Sequence, residues 1–176
     1  MLTEVILAVL ERERPEVPPE RAAIMAEAAS QATSLFPQHP MLTAAILTAV
    51  EREGGFREDV QAGERRGKAG EICLTQIHPV NGFWKNYVVE FDDLAGLSLE
   101  ATTACFKTAA HTLYYGRNRC LKQRYRTNWA QAMWTYYHYG NQCWLSPHAH
   151  LRTRRMHHWH GLLTAEAKRR DRKSVV

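Results

Sequence analysis

A glutamate stands directly after an unusually apolar segment. Residues 41–50 carry no charge, and Glu51, Arg52 and Glu53 follow at once. Desolvation and the negative end of a helix dipole both disfavour a carboxylate there, so the pKa of Glu51 is expected to be raised. A glutamic acid that stays protonated near neutral pH can protonate a leaving oxygen. Glu51 is therefore a candidate general acid. Glu53 is the rival, and the exposed last turn of a helix is the alternative without chemistry.

Two further motifs follow in order. Residues 70–79 are G-E-I-C-L-T-Q-I-H-P, and residues 136–141 are Y-Y-H-Y-G-N. Together with residues 49–56, these segments resemble the lysozyme-like lytic transglycosylases of the soluble type, whose framework goose-type lysozymes share. The pattern of that family is a helix ending in A-x-x-E-S, then G-L-M-Q-I-x-P, and later A-Y-N-x-G. The resemblance covers about residues 40–160.

The resemblance implies a role for each matching residue. Glu51 matches the single catalytic acid/base, and Gln76 matches a glutamine that lies in the sugar cleft. Tyr137 matches a tyrosine that lies by the catalytic glutamate and can hydrogen-bond it. Gly140 matches the closing glycine of the third motif.

Four positions depart from the family pattern. Arg52 stands where the motif has serine, Cys73 and Thr75 replace glycine and methionine, and His138 replaces asparagine. These departures concern the sugar contacts, and they are of the kind expected in a phage-encoded enzyme.

The number of carboxylates separates two reactions. The family resembled here uses one glutamate to cleave the MurNAc–GlcNAc β-1,4 bond of peptidoglycan, and the sugar's own 6-hydroxyl attacks to give a 1,6-anhydro end. An intramolecular nucleophile has a high effective molarity, so one carboxylate can suffice. A hydrolytic muramidase would need a second carboxylate, for which Asp59, Glu64 and Glu71 are candidates. We expect no cofactor.

Histidines and aromatic residues offer weaker functional signals. His148, His150, His157, His158 and His160 follow no zinc motif, so no metal site is predicted. The many aromatic residues within 106–144 are expected to be mostly core, although some could line a glycan groove.

The elements that must position these residues are predicted to be helices. They span 2–13, 19–35, 40–53, 83–90, 98–116, 127–139 and 147–169, and the only strand signal is a small hairpin within 56–77. We predict one mainly α, lysozyme-like domain over 1–176. Its parts are N-terminal helices (1–38), a motif-bearing core (39–160) and a basic tail (161–176).

Charge is concentrated at the C-terminal end. The net charge is +5, and residues 151–176 hold eight Lys or Arg against two acidic residues. We expect this segment to be a solvated tail that contacts an anionic cell envelope. The alternatives are a nucleic-acid-binding protein, against which the near-neutral remainder argues, and an inactive structural module of a virion.

Cysteines and apolar runs bear on location. The four cysteines (Cys73, Cys105, Cys120 and Cys143) are widely spaced. Buried thiols are predicted in preference to one or two disulfides. No signal peptide and no apolar run of about 20 residues is seen. We expect action on the cell wall, in the periplasm or outside, by an enzyme that is phage-encoded or delivered by another route.

Overall fold

The computed structural model describes residues 1–122, 130, 133, 134, 137 and 147–173, and the chain is mainly helical, which confirms the predicted fold class. The α-helices are α1 (Leu2–Glu13), α2 (Pro19–Ser34), α3 (Leu42–Glu53), α4 (Glu58–Gln61), α5 (Leu99–Lys122) and α6 (Pro147–Lys173), and two 3-10 helices span Gly82–Asn86 and Phe91–Leu94. No strand forms among the described residues.

Helix α3 is the centre of the fold. All nine residues from Leu42 to Val50 are buried, as the charge-free sequence predicts. It packs against α2, α5 and α6, so its last turn is held from several sides. Helix α2 presents a row of buried alanines to its neighbours α1 and α5.

Three predicted elements differ from the structure or lie outside it. Helix α5 continues past the predicted end at residue 116, because a glycine inside a helix costs only about 1 kcal/mol and Cys120 beyond it is buried. The segment 83–90 is only partly helical, as the 3-10 helix Gly82–Asn86. Most of the predicted helix 127–139, and also Gly140, lie outside the described residues.

The predicted hairpin reduces to a single bridge. Ile72 and Ile77 exchange two backbone hydrogen bonds, at 3.1 and 2.9 Å, around a four-residue turn. Cys73 and Gln76 occupy the left-handed region within that turn, with φ of 64° and 50°. Non-glycine residues rarely adopt this conformation, so the surrounding structure must hold the turn in place.

A disulfide helps to keep this turn in place. It also shows that the prediction of buried thiols is wrong. Cys73 is bonded to Cys105 of α5, across a sequence separation of 32. Cys120 is disulfide-bonded too, while Cys143 lies outside the described residues. Sequence spacing alone could not reveal the Cys73–Cys105 bond, because it joins distant segments.

The segment predicted as a basic tail is helical as far as Lys173. Residues 161–173 continue α6, which packs along α3 and α1 with Met156 and Trp159 fully buried. Glu166 is 2% exposed and pairs with Arg169 and Arg170. Two of the basic side chains in this segment are thus paired within the fold. In the described part of the chain, no helix combines the length and apolar character needed to cross a membrane.

Candidate functional site

A close approach of backbone at Gly54 fixes the end of α3. A Cβ at this position would lie 2.4 Å from the carbonyl oxygen of Leu74, which no real contact allows. Glycine is therefore required for the last turn of α3 to rest on the Cys73–Gln76 turn. This junction brings the first two sequence motifs together.

Glu51 is held by side chains of α6 and by Arg14, the residue that follows α1. Arg155 of α6 donates to both carboxylate oxygens, Nε to Oε2 at 2.5 Å and Nη2 to Oε1 at 2.6 Å. Trp159 Nε1 adds a bond to Oε2 at 3.1 Å, and Arg14 Nη1 lies 3.4 Å from Oε1. Both oxygens are thereby occupied in a bidentate, charge-assisted pair.

The expectation of a raised pKa for Glu51 is wrong. Burial does favour the neutral acid, but the hydrogen bonds from Arg155 and Trp159 outweigh burial and lower the pKa of Glu51 below its ordinary value. An ionised carboxylate with both oxygens engaged has no proton to donate. The sequence indicates that Glu51 is buried, but it does not show which arginines lie against its carboxylate.

Glu53 has a different environment on the same last turn. Arg152 of α6 approaches Oε1 only, with Nη2 at 2.5 Å and Nε at 3.2 Å. None of the described residues hydrogen-bonds Oε2. The side chain is 19% exposed, so it is sheltered but reachable. Glu53 therefore retains one oxygen for a ligand.

Gln76 ends the tight turn beside this carboxylate. Its Nε2 donates to the carbonyl of Cys73 at 3.1 Å, which orients the amide. No described residue donates to its Oε1. A Cβ on Gly67 would lie 2.8 Å from that Oε1, so the facing loop approaches closely because residue 67 is glycine.

Tyr137 supports the turn from the other side. Its hydroxyl donates to the carbonyl of Thr75 at 2.6 Å, not to Glu51 or Glu53. Burial, followed by the negative charge of Glu53, raises the pKa of Tyr137, so the phenol stays protonated. Its acidic neighbour is thus Glu53, the rival of the predicted acid.

A cleft of about 1110 Å³ joins these residues. Its lining includes Glu53, Gln76 and Tyr137, and it extends past Lys68, Glu71, His78, Phe83, Tyr115 and Arg119. The volume exceeds the range of about 300–1,000 Å³ that is usual for small-molecule pockets, which suits an extended ligand. Glu51 does not line this cleft, but it borders a smaller neighbouring one of about 360 Å³ together with Glu53 and Gln76.

The three proposed second carboxylates separate in space. Glu71 lines the large cleft and accepts a hydrogen bond from the backbone of Ala69 at 2.9 Å. Asp59 pairs with Arg57, which lowers the pKa of Asp59. Neither Asp59 nor Glu64 borders either cleft. Only Glu71 shares the large cleft with Glu53.

Metal ligands and aromatic rings are the other groups in which the sequence suggested chemistry. Among the described residues, no cluster of three or more His, Cys, Asp or Glu could hold a metal. Phe106 and Trp134, two of the aromatic residues in 106–144, are fully buried. Tyr115 is the member of that set on α5 that lines the cleft.

Sequence reasoning missed the arginines that distinguish the two glutamates. Arg152, Arg155 and Trp159 follow one another at helical spacings of three and four, so they share one face of α6. That pattern was available in the sequence. Which of the two glutamates each arginine meets depends on how α6 packs against α3, and a single sequence does not give that.

Comparison with known proteins adds no relative to this description. No protein-family model, curated protein or solved structure matches the chain significantly.

Proposed function

We propose that the protein is a lytic transglycosylase that cleaves the MurNAc–GlcNAc β-1,4 bond of peptidoglycan, with Glu53 as acid and base. One observation carries the proposal: Glu53 shares a cleft with Gln76 and Tyr137 and keeps Oε2 unbonded by any described residue. Glu51 does not line that cleft, and Arg155 and Trp159 occupy both of its oxygens.

Assigning the role of the acid to Glu53 instead of Glu51 also improves the match to the first motif. The motif has a small residue, serine, directly after the glutamate. Arg52 follows Glu51, whereas Gly54 follows Glu53. A small residue is needed at position 54 because the Leu74 carbonyl lies against it.

The reaction needs one proton carrier beside the sugar ring. Glu53 Oε2 protonates the glycosidic oxygen as the bond from that oxygen to C1 of MurNAc breaks. The resulting carboxylate takes the proton of the 6-hydroxyl as O6 bonds to C1, so no water is consumed and Glu53 ends protonated again. Arg152 on Oε1 orients the carboxylate throughout.

Product analysis tests the proposal. We expect mass spectrometry of peptidoglycan digests to show 1,6-anhydro-muropeptides, each lighter by one water than the hydrolytic product. Glu53→Gln protein is the inactive control, and circular dichroism checks that it keeps the native fold. Digestion that persists in this variant would remove Glu53 from the role. No digestion by folded wild-type protein would overturn the proposed activity.

A hydrolytic muramidase is the second candidate, and Glu71 favours it. This carboxylate lines the same cleft as Glu53 and could direct a water to C1. In that case the products would carry reducing ends, and Glu71→Gln would abolish their formation. Under the transglycosylase mechanism, Glu71→Gln leaves anhydro products intact.

The place of action remains a prediction. The Cys73–Cys105 bond supports an oxidising compartment, such as the periplasm or the outside of the cell, because disulfides persist there. Peptidoglycan is the proposed partner. Contact of residues 161–173, which belong to α6, with an anionic envelope also stays a prediction.

A further inference from the structure

Arg119 on α5 is a cation of the cleft wall with spare hydrogen-bonding capacity. Its Nη1 donates to the hydroxyl of Tyr115 at 3.3 Å, and no described residue accepts a hydrogen bond from its buried Nε. Among the described residues, it forms no salt bridge with an acidic side chain. A guanidinium has five N–H donors, so most of its donor capacity is unused within that part of the chain.

The two arginines beside α3 differ from Arg119 because each of them is paired with a glutamate. Arg152 and Arg155 each lie 2.5 Å from a glutamate oxygen and serve to hold α6 on α3. Arg119 borders the same cleft as Glu53 but lacks such a described partner. Because a charge in a sheltered place is costly unless it is paired, a ligand carboxylate is the natural partner.

Aromatic rings stand next to this cation. Phe83 and Tyr115 lie with ring centroids 5.2 Å apart, and Phe83 stacks on His111 at 5.2 Å. Tyr115 is 40% exposed and lines the cleft. A ring face suits the apolar face of a sugar, and the adjacent guanidinium suits a carboxylate in bidentate geometry. This combination fits an acidic saccharide better than a neutral one.

We propose that Arg119 binds a carboxylate carried by the muramyl residue of the substrate and selects muramyl glycans over neutral ones. The carboxylate belongs either to the lactyl group or to the peptide attached to it. This inference rests on the proposed function. Lys68, which also lines the cleft, adds positive charge to the site.

Binding without turnover tests the inference. Calorimetry would compare three ligands with Glu53→Gln protein: a neutral chito-oligosaccharide, a peptide-free muramyl oligosaccharide and its peptide-bearing form. Adding Arg119→Gln is expected to weaken a muramyl ligand about tenfold or more, since a charge-assisted pair is lost. Affinity for the neutral ligand should stay within about twofold. Adding Lys107→Gln instead removes one charge from the same helix away from the cleft, and should change none of the three.

The outcomes separate the sources and the two proposals. A loss confined to the peptide-free ligand assigns the lactyl carboxylate, and a loss confined to the peptide-bearing ligand assigns the peptide. Equal loss for all three ligands, or no loss for any, overturns the role of Arg119 while leaving the proposed function standing. If Glu53→Gln protein binds none of the three, the proposed function fails and this inference fails with it.

Discussion

The two faces of the last turn of α3 use glutamate for opposite purposes. On the inner face, Glu51 accepts hydrogen bonds on both oxygens and joins α3 to α6 and to the Arg14 end of α1. On the cleft face, Glu53 gives one oxygen to Arg152 and leaves the other unbonded by any described residue. Residues two apart on a helix point to nearly opposite sides. The difference teaches that burial alone does not single out a candidate catalytic carboxylate, and that an unfilled oxygen beside a cleft is the further criterion.

The largest effect expected is on the rate of Glu53→Gln. If Glu53 is the general acid that we propose, Glu53→Gln should lower kcat about 10²–10⁴-fold, since the amide cannot transfer the proton. Turnover of a muramyl oligosaccharide measures it. Glu51→Gln is the matched control, because it makes the same change two residues away. A larger loss of kcat in folded Glu51→Gln than in Glu53→Gln would reverse the assignment.

Loss of the Cys73–Cys105 disulfide should give the next largest effect. Replacing both Cys73 and Cys105 by Ala is expected to lower the free energy of unfolding by about 2–4 kcal/mol, because the unfolded chain loses a cross-link. Urea unfolding measures the change. Serine at the same two positions is the control, because it breaks the same link. Wild-type stability in both variants would show that the bond contributes nothing to the hold on the Cys73–Gln76 turn.

On the inner face, Glu51→Gln should cost stability. We expect a loss of about 1–2 kcal/mol, because the amide cannot pair with the Arg155 guanidinium and Glu51 still keeps some contact with solvent. Chemical denaturation gives the value, and Arg155→Met completes a double-mutant cycle. If the two losses simply added, the ion pair would contribute nothing as a pair.

The lowered pKa values of Glu51 and Glu166 predict that the stability of the fold depends on pH. The folded pKa of Glu51 is lowered, mainly by Arg155 and Trp159 acting against burial, and Arg169 and Arg170 lower the pKa of Glu166 to about 2. Stability from both groups is present above their unfolded pKa of about 4.3, and it is lost as pH falls through the folded values. Melting temperatures should therefore drop below about pH 4, and Glu51→Gln should show a smaller drop than the wild type.

Much of the fold could be predicted from the sequence, but the chemistry of the site only in part. The charge-free run before Glu51 fixes α3 as buried, and proline and glycine mark the starts and ends of the first helices. The three motifs locate the cleft residues Gln76 and Tyr137. The choice between Glu51 and Glu53 depends on which arginine of α6 meets which oxygen, and the Cys73–Cys105 bond depends on how a turn meets α5. Both are contacts between distant segments, which periodicity does not encode.

The smallest effect expected is that of Tyr137→Phe, which asks whether the tyrosine serves the carboxylate or the turn. Its hydroxyl donates to the Thr75 carbonyl, one residue before Gln76. Removing it should lower stability by about 1 kcal/mol, because a sheltered carbonyl loses its donor.

If Tyr137 positions Gln76, Tyr137→Phe should mainly raise KM, and its effect should vanish when Gln76 is already Ala. A fall in kcat that persists with Gln76→Ala would instead place the hydroxyl on Glu53 during the reaction, as the family resemblance suggested for its catalytic glutamate. Both Arg152 and Tyr137 would then contact the proposed acid Glu53. The contrast with Glu51 would in that case depend only on the oxygen of Glu53 that no described residue binds in this structure.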